Sequence, residues 1–295
     1  MIKWNITSRH HPSLSTERFY YEWAVIHVAL MVTNASTMRC FKRYVQHFAY
    51  EFEMIPDEAR LLPLHPTKWQ SFAEHWIEGI QAIGPAVSSE DYRGRMHPHS
   101  FSDSTMELHL LQGTTVYERP DFKSGGVKLI HNLKLKAGVS VEQFNAFLAE
   151  KHAPLVLDLL KARGLRKYEI DRQLGLDPNQ FKGTLFEKGG VDQYAGLEEF
   201  WFDSLEDALA FGKDPKVRQA LLESYGQFVD IQASHSIYMT ERVAFDFVTR
   251  EATPPPAILN PDSCEARTCY DDWKCYLPSL VKPEPHQGNC YRERP

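Results

Sequence analysis

The sequence predicts an α+β protein built from two copies of one small unit, joined head to tail. Three features predict it: blocks of the chain recur at a constant offset, both halves show the same order of strand and helix patterns, and a turn-rich segment lies between them. A repeat at a fixed offset is the sequence signature of a duplicated structural unit. The recurring blocks, each offset by 125 residues, pair 2–5 with 127–130, 15–19 with 140–144, 27–30 with 152–155, and 74–78 with 199–203.

Each half is predicted to contain a strand, a helix, two strands, a helix and a final strand. In the first half these elements are strand 2–8, helix 15–32, strands 40–52 and 71–78, helix 79–95 and strand 106–118. In the second half they are strand 127–135, a helix from residue 140, strands 166–171 and 197–203, a helix over 205–225 that breaks near 212–215, and strand 233–243.

Local signals are clearest in the second half. Polar and apolar residues alternate along 127–135, which is typical of a strand. Ser140, followed three residues later by Gln143, is a capping box that begins a helix. Pro154 is expected to kink or restart this helix, because proline lacks the N–H donor and suits a first turn. One apolar face of the helix contains Phe144, Leu148, His152 and Leu155.

The repeat divides the chain into four parts. The predicted parts are a first unit over 1–118, a linker over 119–126, a second unit over 127–246 and a C-terminal tail over 247–295. Two segments of unrelated sequence, 54–68 and 173–193, interrupt the two units at equivalent points. Loops that diverge on a repeated scaffold are where binding is usually differentiated.

Composition excludes several classes of function. The 295 residues carry a net charge of -6 without a basic stripe, so nucleic acid is not an expected partner. No apolar stretch is long enough to cross a membrane, and no signal peptide precedes the first strand, so a cytoplasmic protein is expected. Four of the five cysteines lie in the tail without the C-x2-C spacing of a zinc site, which favours free thiols over a metal or disulfide. These four are Cys264, Cys269, Cys275 and Cys290.

Motifs in both halves resemble the EthD-like family over about residues 1–246. The motifs are Leu14-Ser15-Thr16-Glu17-Arg18-Phe19 with Trp23 and His27, Phe41-Lys42-Arg43-Tyr44-Val45 and Glu74-x-Trp76 in the first half, and Val139 to Phe144, His152-Ala153-Pro154, Leu165 to Tyr168 and Glu199-x-Trp201 in the second. The resemblance implies ferredoxin-like units that pair into a dimeric α+β barrel. A tandem copy implies that one chain forms that barrel by itself, as an intramolecular pseudo-dimer with an irregular tail. A homodimer of the fused pair is compatible with this.

The resemblance also implies tailoring of aromatic polyketides by decarboxylation, dehydration or cyclisation without a cofactor. The absence of a Gly-rich phosphate loop, of G-x-S-x-G and of H-E-x-x-H agrees with this. No cofactor and no metal are predicted, although other barrels of this superfamily hold haem and 13 histidines leave a haem ligand open. The first half has Val28-Ala29 where the second has Ala153-Pro154, so the two sites are not expected to be equivalent.

Two histidines occupy the same position of the repeat. His27 and His152 lie on the helix stripe that faces the sheet, and an imidazole there suits proton transfer because its pKa is near neutral. The alternative is a buried histidine that ties the helix end to backbone groups. His131, on the apolar side of the strand at 127–135, is expected to join the second site because a buried histidine needs a partner.

Two carboxylates share a strand face with tryptophans. Glu74 with Trp76, and Glu199 with Trp201, lie on one face by the two-residue period of a strand. If that face meets the helices, a carboxylate beside an indole has a raised pKa and acts as an acid or base. If it meets solvent, the glutamates are ordinary surface residues.

Other candidates are two tyrosines and one histidine pair. Tyr44 and Tyr168 begin the second strand of each unit, where a phenol either holds a substrate oxygen or only packs. His97 and His99 follow Tyr92, and this segment resembles the Tyr…His-Pro-x-His loop of olivetolic acid cyclase, a member of the same barrel superfamily. A solvated loop is the alternative.

The resulting hypothesis is a cofactor-independent lyase or cyclase for an aromatic or polyketide-like molecule, with its pocket in the second unit. His152 would transfer the proton, Glu199 or Tyr168 would orient a carbonyl, and Trp201 would form an apolar wall. The alternatives are a cofactor-free monooxygenase acting on a phenol, and a non-catalytic binding or stabilising protein.

Overall fold

A computed structural model describes residues 1–96, 101–175, 177–184, 186–187, 189 and 194–247. The predicted pair at His97 and His99 and the four tail cysteines lie outside these residues, as does the tail from residue 248. Cys40, in the first unit, is a buried free thiol. Within the described part of the chain, no helix is both long enough and apolar enough to span a bilayer.

Eight strands form the sheet. They are β1 (Ile2–His10), β2 (Phe41–Ala49), β3 (Ser71–Ile77), β4 (Ser102–Glu118), β5 (Val127–Leu133), β6 (Lys167–Gln173), β7 (Gly196–Phe202) and β8 (His235–Asp246). The repeat thus contributes four strands from each half.

Helices connect the strands on the outside of the sheet. They are α1 (Thr16–Tyr21), α2 (Val28–Val32), α3 (Ala35–Cys40), α4 (Ile83–Ser88), α5 (Glu90–Met96), α6 (Val141–Phe147), α7 (Ala153–Leu160), α8 (Leu205–Lys213) and α9 (Pro215–Phe228). The Ser140 and Gln143 capping box is present, and Pro154 lies in the first turn of α7, as predicted. The predicted break in the last helix is also present, because Asp214 caps a new helix that begins at Pro215.

A π-helical segment interrupts the first long helix of each unit. The segments are Glu22–His27 and Leu148–His152, so each ends at the histidine of the repeat. A π turn inserts one residue into the helical repeat and is common at functional sites. Both histidines are therefore presented from the same irregular position.

The strands close into a barrel in the order β1-β3-β2-β8-β5-β7-β6-β4. Every pairing is antiparallel. The last strand of each unit joins the two halves, since β4 pairs with β6 and β8 pairs with β2. The predicted fold, two fused ferredoxin-like units in one intramolecular α+β barrel, is confirmed.

Alternate side chains of each strand point to opposite faces, one toward the helices and one into the barrel lumen. The helix-facing side chains form two separate cores, one for each unit. Lumen-facing side chains meet across the barrel, as when Lys3 on β1 contacts Glu169 on β6.

The two interrupting segments cross over to the opposite unit. Ile55, Leu61 and Leu62 from the first insertion pack in the core of the second unit. Phe181 and Phe186 from the second insertion pack in the core of the first, against Trp4. The core of each unit is thus covered by a segment of the other unit of the same chain.

Candidate active site

In the second unit, the predicted residues His152, Tyr168 and His131 come together between helix and sheet. Glu198, on the helix-facing side of β7, accepts hydrogen bonds from the hydroxyls of Tyr168 and Tyr225, the latter at 2.5 Å. His152 Nδ1 lies 2.8 Å from Ser224 Oγ, and its Nε2 is 3.3 Å from Glu198 Oε1 but too poorly aligned for a hydrogen bond. His131 Nδ1 bonds to the Tyr225 hydroxyl at 2.8 Å.

This cluster is closed to solvent. His152, His131, Tyr168, Glu198 and Tyr225 are all completely buried. A surface groove lies outside it, but Phe228 lines that groove and its ring is 5.5 Å from the His152 ring, so it separates the two. The prediction of an accessible pocket at His152 is therefore wrong. The alternative, a buried histidine that ties the helix end to backbone groups, is right about burial, but the Nδ1 partner is the Ser224 side chain.

The carboxylate in this cluster is Glu198, whereas the sequence predicted Glu199. Glu199 and Trp201 point into the lumen because they are one residue out of phase with Glu198. Burial and the Glu198 carboxylate together raise the pKa of Tyr168, so the phenol stays protonated and donates to Glu198.

Glu74 and Glu199 belong to a network of charged groups inside the barrel. Glu199 Oε2 lies 2.8 Å from Lys128 Nζ and 3.1 Å from Lys3 Nζ, and Glu74 Oε2 lies 2.9 Å from Lys128 Nζ. Burial opposes ionisation of Glu74, but Lys128 and Lys3 hold its pKa well below the usual value. The sequence predicted a carboxylic acid with a raised pKa that faces the helices. Glu74 is instead ionised and faces the lumen.

The tryptophans of the same motif are part of this network. Trp201 Nε1 donates to Glu241 Oε2 at 2.9 Å, and the Lys128 ammonium lies 4.4 Å from the Trp201 ring centre. Trp76 Nε1 donates to Glu74. Neither indole lines the space between helices and sheet, so the predicted apolar wall at Trp201 is wrong.

Three carboxylates of the lumen approach one another closely. Glu169, Asp171 and Glu199 could by geometry hold a metal ion. The Lys3 ammonium already lies among them, 2.6 Å from Glu169 and 3.0 Å from Asp171. An internal lysine therefore supplies the positive charge that these carboxylates require.

An accessible cavity lies in the first unit, between its helices and its sheet. It is lined by Trp4, Ile6, Ser8, Trp23, His27, Met31, Phe41, Ala73, His75, Tyr92, Phe101, Ser102, Met106 and Phe186. The cavity has a volume of about 40 Å³, which is room for about three waters. The lining is aromatic and apolar apart from two imidazoles and a few hydroxyls.

Two histidines reach this cavity from opposite layers. His27 comes from the end of the π-helical segment, and its ring lies 5.4 Å from Phe101 and 6.4 Å from Tyr44. His75 comes from β3, where its Nδ1 donates to the Trp4 carbonyl at 3.0 Å. That hydrogen bond places the proton on Nδ1 and leaves Nε2 with an unshared electron pair. A group bound in the cavity would thus have an imidazole on each side.

His75 is neutral at physiological pH because burial lowers its pKa to about 4. Tyr44 stacks on its other side, with ring centres 4.7 Å apart, and is completely buried. The predicted Tyr44 therefore lies behind His75. The sequence analysis did not identify His75 because it assigned the helix-facing side of β3 to Glu74 and Trp76. His75 lies one residue away from each, on the strand face that it shares with apolar neighbours, and this alternation was the available signal.

Comparisons with known proteins agree with this fold. The EthD domain matches residues 136–232, which confirms the predicted resemblance for the second unit. No curated protein matches the sequence. Among solved structures, an anthrone oxidase-like protein is 11% identical, with a TM-score of 0.53, over 84% of this chain and 94% of its own.

Two further structures are more distant. A protein provisionally assigned as a monooxygenase from Lactobacillus acidophilus NCFM has 8% identity and a TM-score of 0.43, over 81% of this chain and 93% of its own. A chlorite dismutase variant from Candidatus Nitrospira defluvii has 12% identity and a TM-score of 0.43, over 81% and 91%. At these identities the likeness concerns the fold alone.

Proposed function

We propose that this protein is an enzyme that transfers a proton on an aromatic or polyketide-like small molecule, without a cofactor, in the cavity of the first unit. The observation that carries the proposal is the His75 imidazole, held neutral at the wall of an aromatic cavity with its Nε2 unprotonated. Loss of water and aldol cyclisation begin with such a transfer, and decarboxylation of a β-keto acid ends with one, when the enolate carbon is protonated.

The roles follow from where the two imidazoles lie. His75 Nε2 would accept the proton from an acidic carbon or hydroxyl of the substrate. His27 would orient or protonate the carbonyl oxygen from the helix side. Tyr44 and the Trp4 carbonyl would fix the orientation of the His75 ring, and general acid–base help of this kind contributes about 10²–10⁴-fold to a rate.

The aromatic lining sets the class of substrate. Trp4, Trp23, Phe41, Phe101 and Phe186 offer flat apolar surfaces, which favour a planar ring system. Because the inner volume is small, binding requires Phe101 or Phe186 at the wall to move outward. Once the wall closes again around the substrate, the cavity would exclude water from an enolate intermediate.

Oxygenation of an electron-rich phenol is a second candidate. It begins with the same deprotonation, which a neutral imidazole among aromatic walls could perform. The phenolate would then react with O₂, one oxygen atom entering the ring as a quinone forms and the other leaving as water. The solved structure with the higher TM-score is described as anthrone oxidase-like, which names a substrate of this type for that protein.

The test is incubation of the full-length protein with a panel of aromatic β-keto acids, polyketide aldol substrates and anthrones, followed by mass spectrometry. Loss of CO₂, loss of water or cyclisation supports the lead proposal. A gain of one oxygen with loss of two hydrogens, as in quinone formation, replaces it with the oxygenase. No conversion above the protein-free rate, together with unchanged tryptophan fluorescence on addition of each compound, would overturn both and favour a non-catalytic protein.

A further inference from the structure

One polar group in the wall of the first-unit cavity has no part in the reaction proposed above. It is the indole N–H of Trp4, on β1. Trp4 lines the cavity, its side chain is buried, and its Nε1 has no hydrogen-bond partner among the described residues. Buried polar atoms are nearly always satisfied. An unpaired donor on a residue that lines a cavity therefore points to an acceptor on the molecule that occupies the cavity.

The other indole in the cavity wall is already used inside the protein. Trp23 lies in the π-helical segment Glu22–His27 and lines the cavity from the helix side. Its side chain is hydrogen-bonded to Tyr44, and the only donor that an indole offers is its N–H. Trp23 therefore contributes an apolar surface, whereas Trp4 contributes such a surface together with a donor that no described residue uses.

The rings packed against Trp4 do not replace a true acceptor. Phe181 stacks on the indole with ring centres 5.8 Å apart, and Phe41 lies 6.0 Å away. Phe186 meets it edge-on at 4.8 Å. Phenyl rings are at best weak acceptors. Phe181 and Phe41 hold the indole in place, while outward movement of Phe186, one of the two wall residues expected to admit a substrate, would uncover it.

Trp4 lies directly beside the proposed base. Trp4 on β1 is the register partner of His75 on β3, and their ring centres are 5.5 Å apart. The Trp4 carbonyl also accepts the hydrogen bond from His75 Nδ1, at 3.0 Å. One residue thus fixes the base through its backbone and offers a donor next to it through its side chain.

The corresponding residues of the second unit cannot act in this way. By the 125-residue offset, the counterparts of Trp4 and His75 are Leu129 and Phe200, both completely buried in the core of that unit. Neither side chain forms hydrogen bonds. The donor and the base therefore occur together in the unit with the cavity, and apolar side chains replace both in the other unit.

The lining also indicates which kind of acceptor the N–H would bind. The described residues around the cavity include no Lys, Arg, Asp or Glu. A carboxylate bound there would be buried without a positive partner, which is unfavourable. A neutral ketone oxygen carries no such cost, and a substrate of each of the three reactions proposed above contains one.

We propose that the Trp4 indole N–H binds a ketone oxygen of the substrate, and so selects planar aromatic molecules that carry a ketone and an acidic hydroxyl on one edge. The inference rests on the proposed function, since it concerns the same cavity. The hydrogen bond would turn the hydroxyl toward His75 Nε2. A site built to hydrogen-bond a substrate group discriminates against an analogue of similar shape that lacks it.

The test compares two probes by calorimetric titration of the full-length protein. The probes are 3-hydroxyacetophenone and 3-isopropylphenol, in which a methyl group replaces the ketone oxygen. The quantity of interest is the ratio of the two dissociation constants, because apolar contacts are similar for both. Trp4→Phe keeps an aromatic ring but removes the N–H, and should reduce the preference for the ketone by about tenfold.

The matched control is Trp23→Phe, which removes the other indole of the wall. It should leave the ratio as in the parent, whatever it does to the individual affinities. Circular dichroism checks that both variants fold. A measurement on the parent alone does not need the variants: in ¹H–¹⁵N spectra, the assigned Trp4 indole proton should move downfield with 3-hydroxyacetophenone, relative to its position with 3-isopropylphenol.

Three results would overturn the inference: neither probe binds, the ratio is the same in Trp4→Phe as in the parent, or the Trp4 indole proton has the same shift with both probes. The proposed function fails in a different way. If the ratio depends on Trp4 but no compound of the panel is converted, the binding role stands and the reaction does not. Conversion of a panel compound with a ratio that ignores Trp4 refutes the binding role alone.

Discussion

The two units have the same frame but differ in what fills the space between helices and sheet. In each, an aromatic or imidazole ring stacks on the tyrosine of the second strand: His75 on Tyr44 at 4.7 Å, and Phe200 on Tyr168 at 4.9 Å. By the 125-residue offset, His75 and Phe200 are counterparts. The first unit thus places an imidazole at a position where the second has a phenyl ring.

Among the described residues, the same offset accounts for a difference in how the space between helices and sheet is filled. Ile6 and Ala73 line the first-unit cavity, and their counterparts are His131 and Glu198. In the second unit these two polar side chains reach Tyr225, while His152 lies beside Glu198, and the space is filled. The two units thus share a scaffold, while a few substitutions decide how much of the space between helices and sheet is filled.

The largest effect is expected from changing His75 to its counterpart. His75→Phe should keep the stacking on Tyr44 but remove the base, and so lower kcat of the proposed reaction by about 10²–10⁴-fold with little loss of stability. Steady-state kinetics on the substrate found by the panel measures this. His152→Ala is the matched control and should leave kcat unchanged; a loss of kcat there, but not in His75→Phe, would assign the reaction to the second unit.

His152→Ala should instead reduce the stability of the protein. The substitution removes a completely buried ring and the hydrogen-bond partner of the Ser224 hydroxyl, and the resulting cavity and lost bond cost about 3 kcal/mol of the free energy of unfolding. Urea denaturation measures the change. A cost below about 1 kcal/mol would mean that the cluster is not the tightly packed filling described above.

Gly212→Ala tests the packing of the first interrupting segment, residues 54–68, against the second unit. A Cβ built at Gly212 would lie 1.7 Å from the Ala59 carbonyl oxygen, so the first insertion must shift. Overpacking of this kind costs about 1–3 kcal/mol. Gly226→Ala is the control, since a Cβ there meets nothing within 4 Å, and helix propensity predicts a gain of up to about 1 kcal/mol. Equal melting temperatures of the two variants would contradict the close contact.

The pH dependence of stability should include contributions from buried histidines of both units. Burial lowers the pKa of His75 and of His131 to about 4 in the folded protein, against about 6.5 in the unfolded chain. Between these values the unfolded chain binds more protons, so the free energy of unfolding falls as pH drops from 6.5 toward 4. His75→Phe should reduce that slope by about 1.4 kcal/mol per pH unit.

The control for this measurement is His11→Gln, which changes an exposed histidine and should leave the slope unchanged. Glu74 and Glu241 also lose stabilisation as pH falls, because Lys128 contributes to lowering the pKa of both against the effect of burial, and their share is common to all variants. An unaltered slope in His75→Phe would show that His75 is not buried as a neutral ring.

The sequence predicted the architecture well because the repeat, the capping box at Ser140 and the break before Pro215 are local signals. It predicted less of the site. The choice between the helix-facing and lumen-facing sides of β3 and β7 depends on barrel closure, which no single strand encodes. As a result, the helix-facing residue is His75 where Glu74 was predicted, and Glu198 where Glu199 was predicted. The open cavity also depends on Phe186, which arrives from the other half of the chain.

The crossed insertions have a consequence for how the protein is held together. A segment of each half packs in the core of the other half, and β4 and β8 each pair with a strand of the other half. Neither half therefore contains a complete hydrophobic core by itself. Cleavage of the peptide between Gly125 and Gly126 would leave two complementary fragments that stay associated, rather than two autonomous domains. The covalent connection mainly ensures that a first half pairs with a second half and not with another copy of itself. This allows the two halves to diverge in sequence.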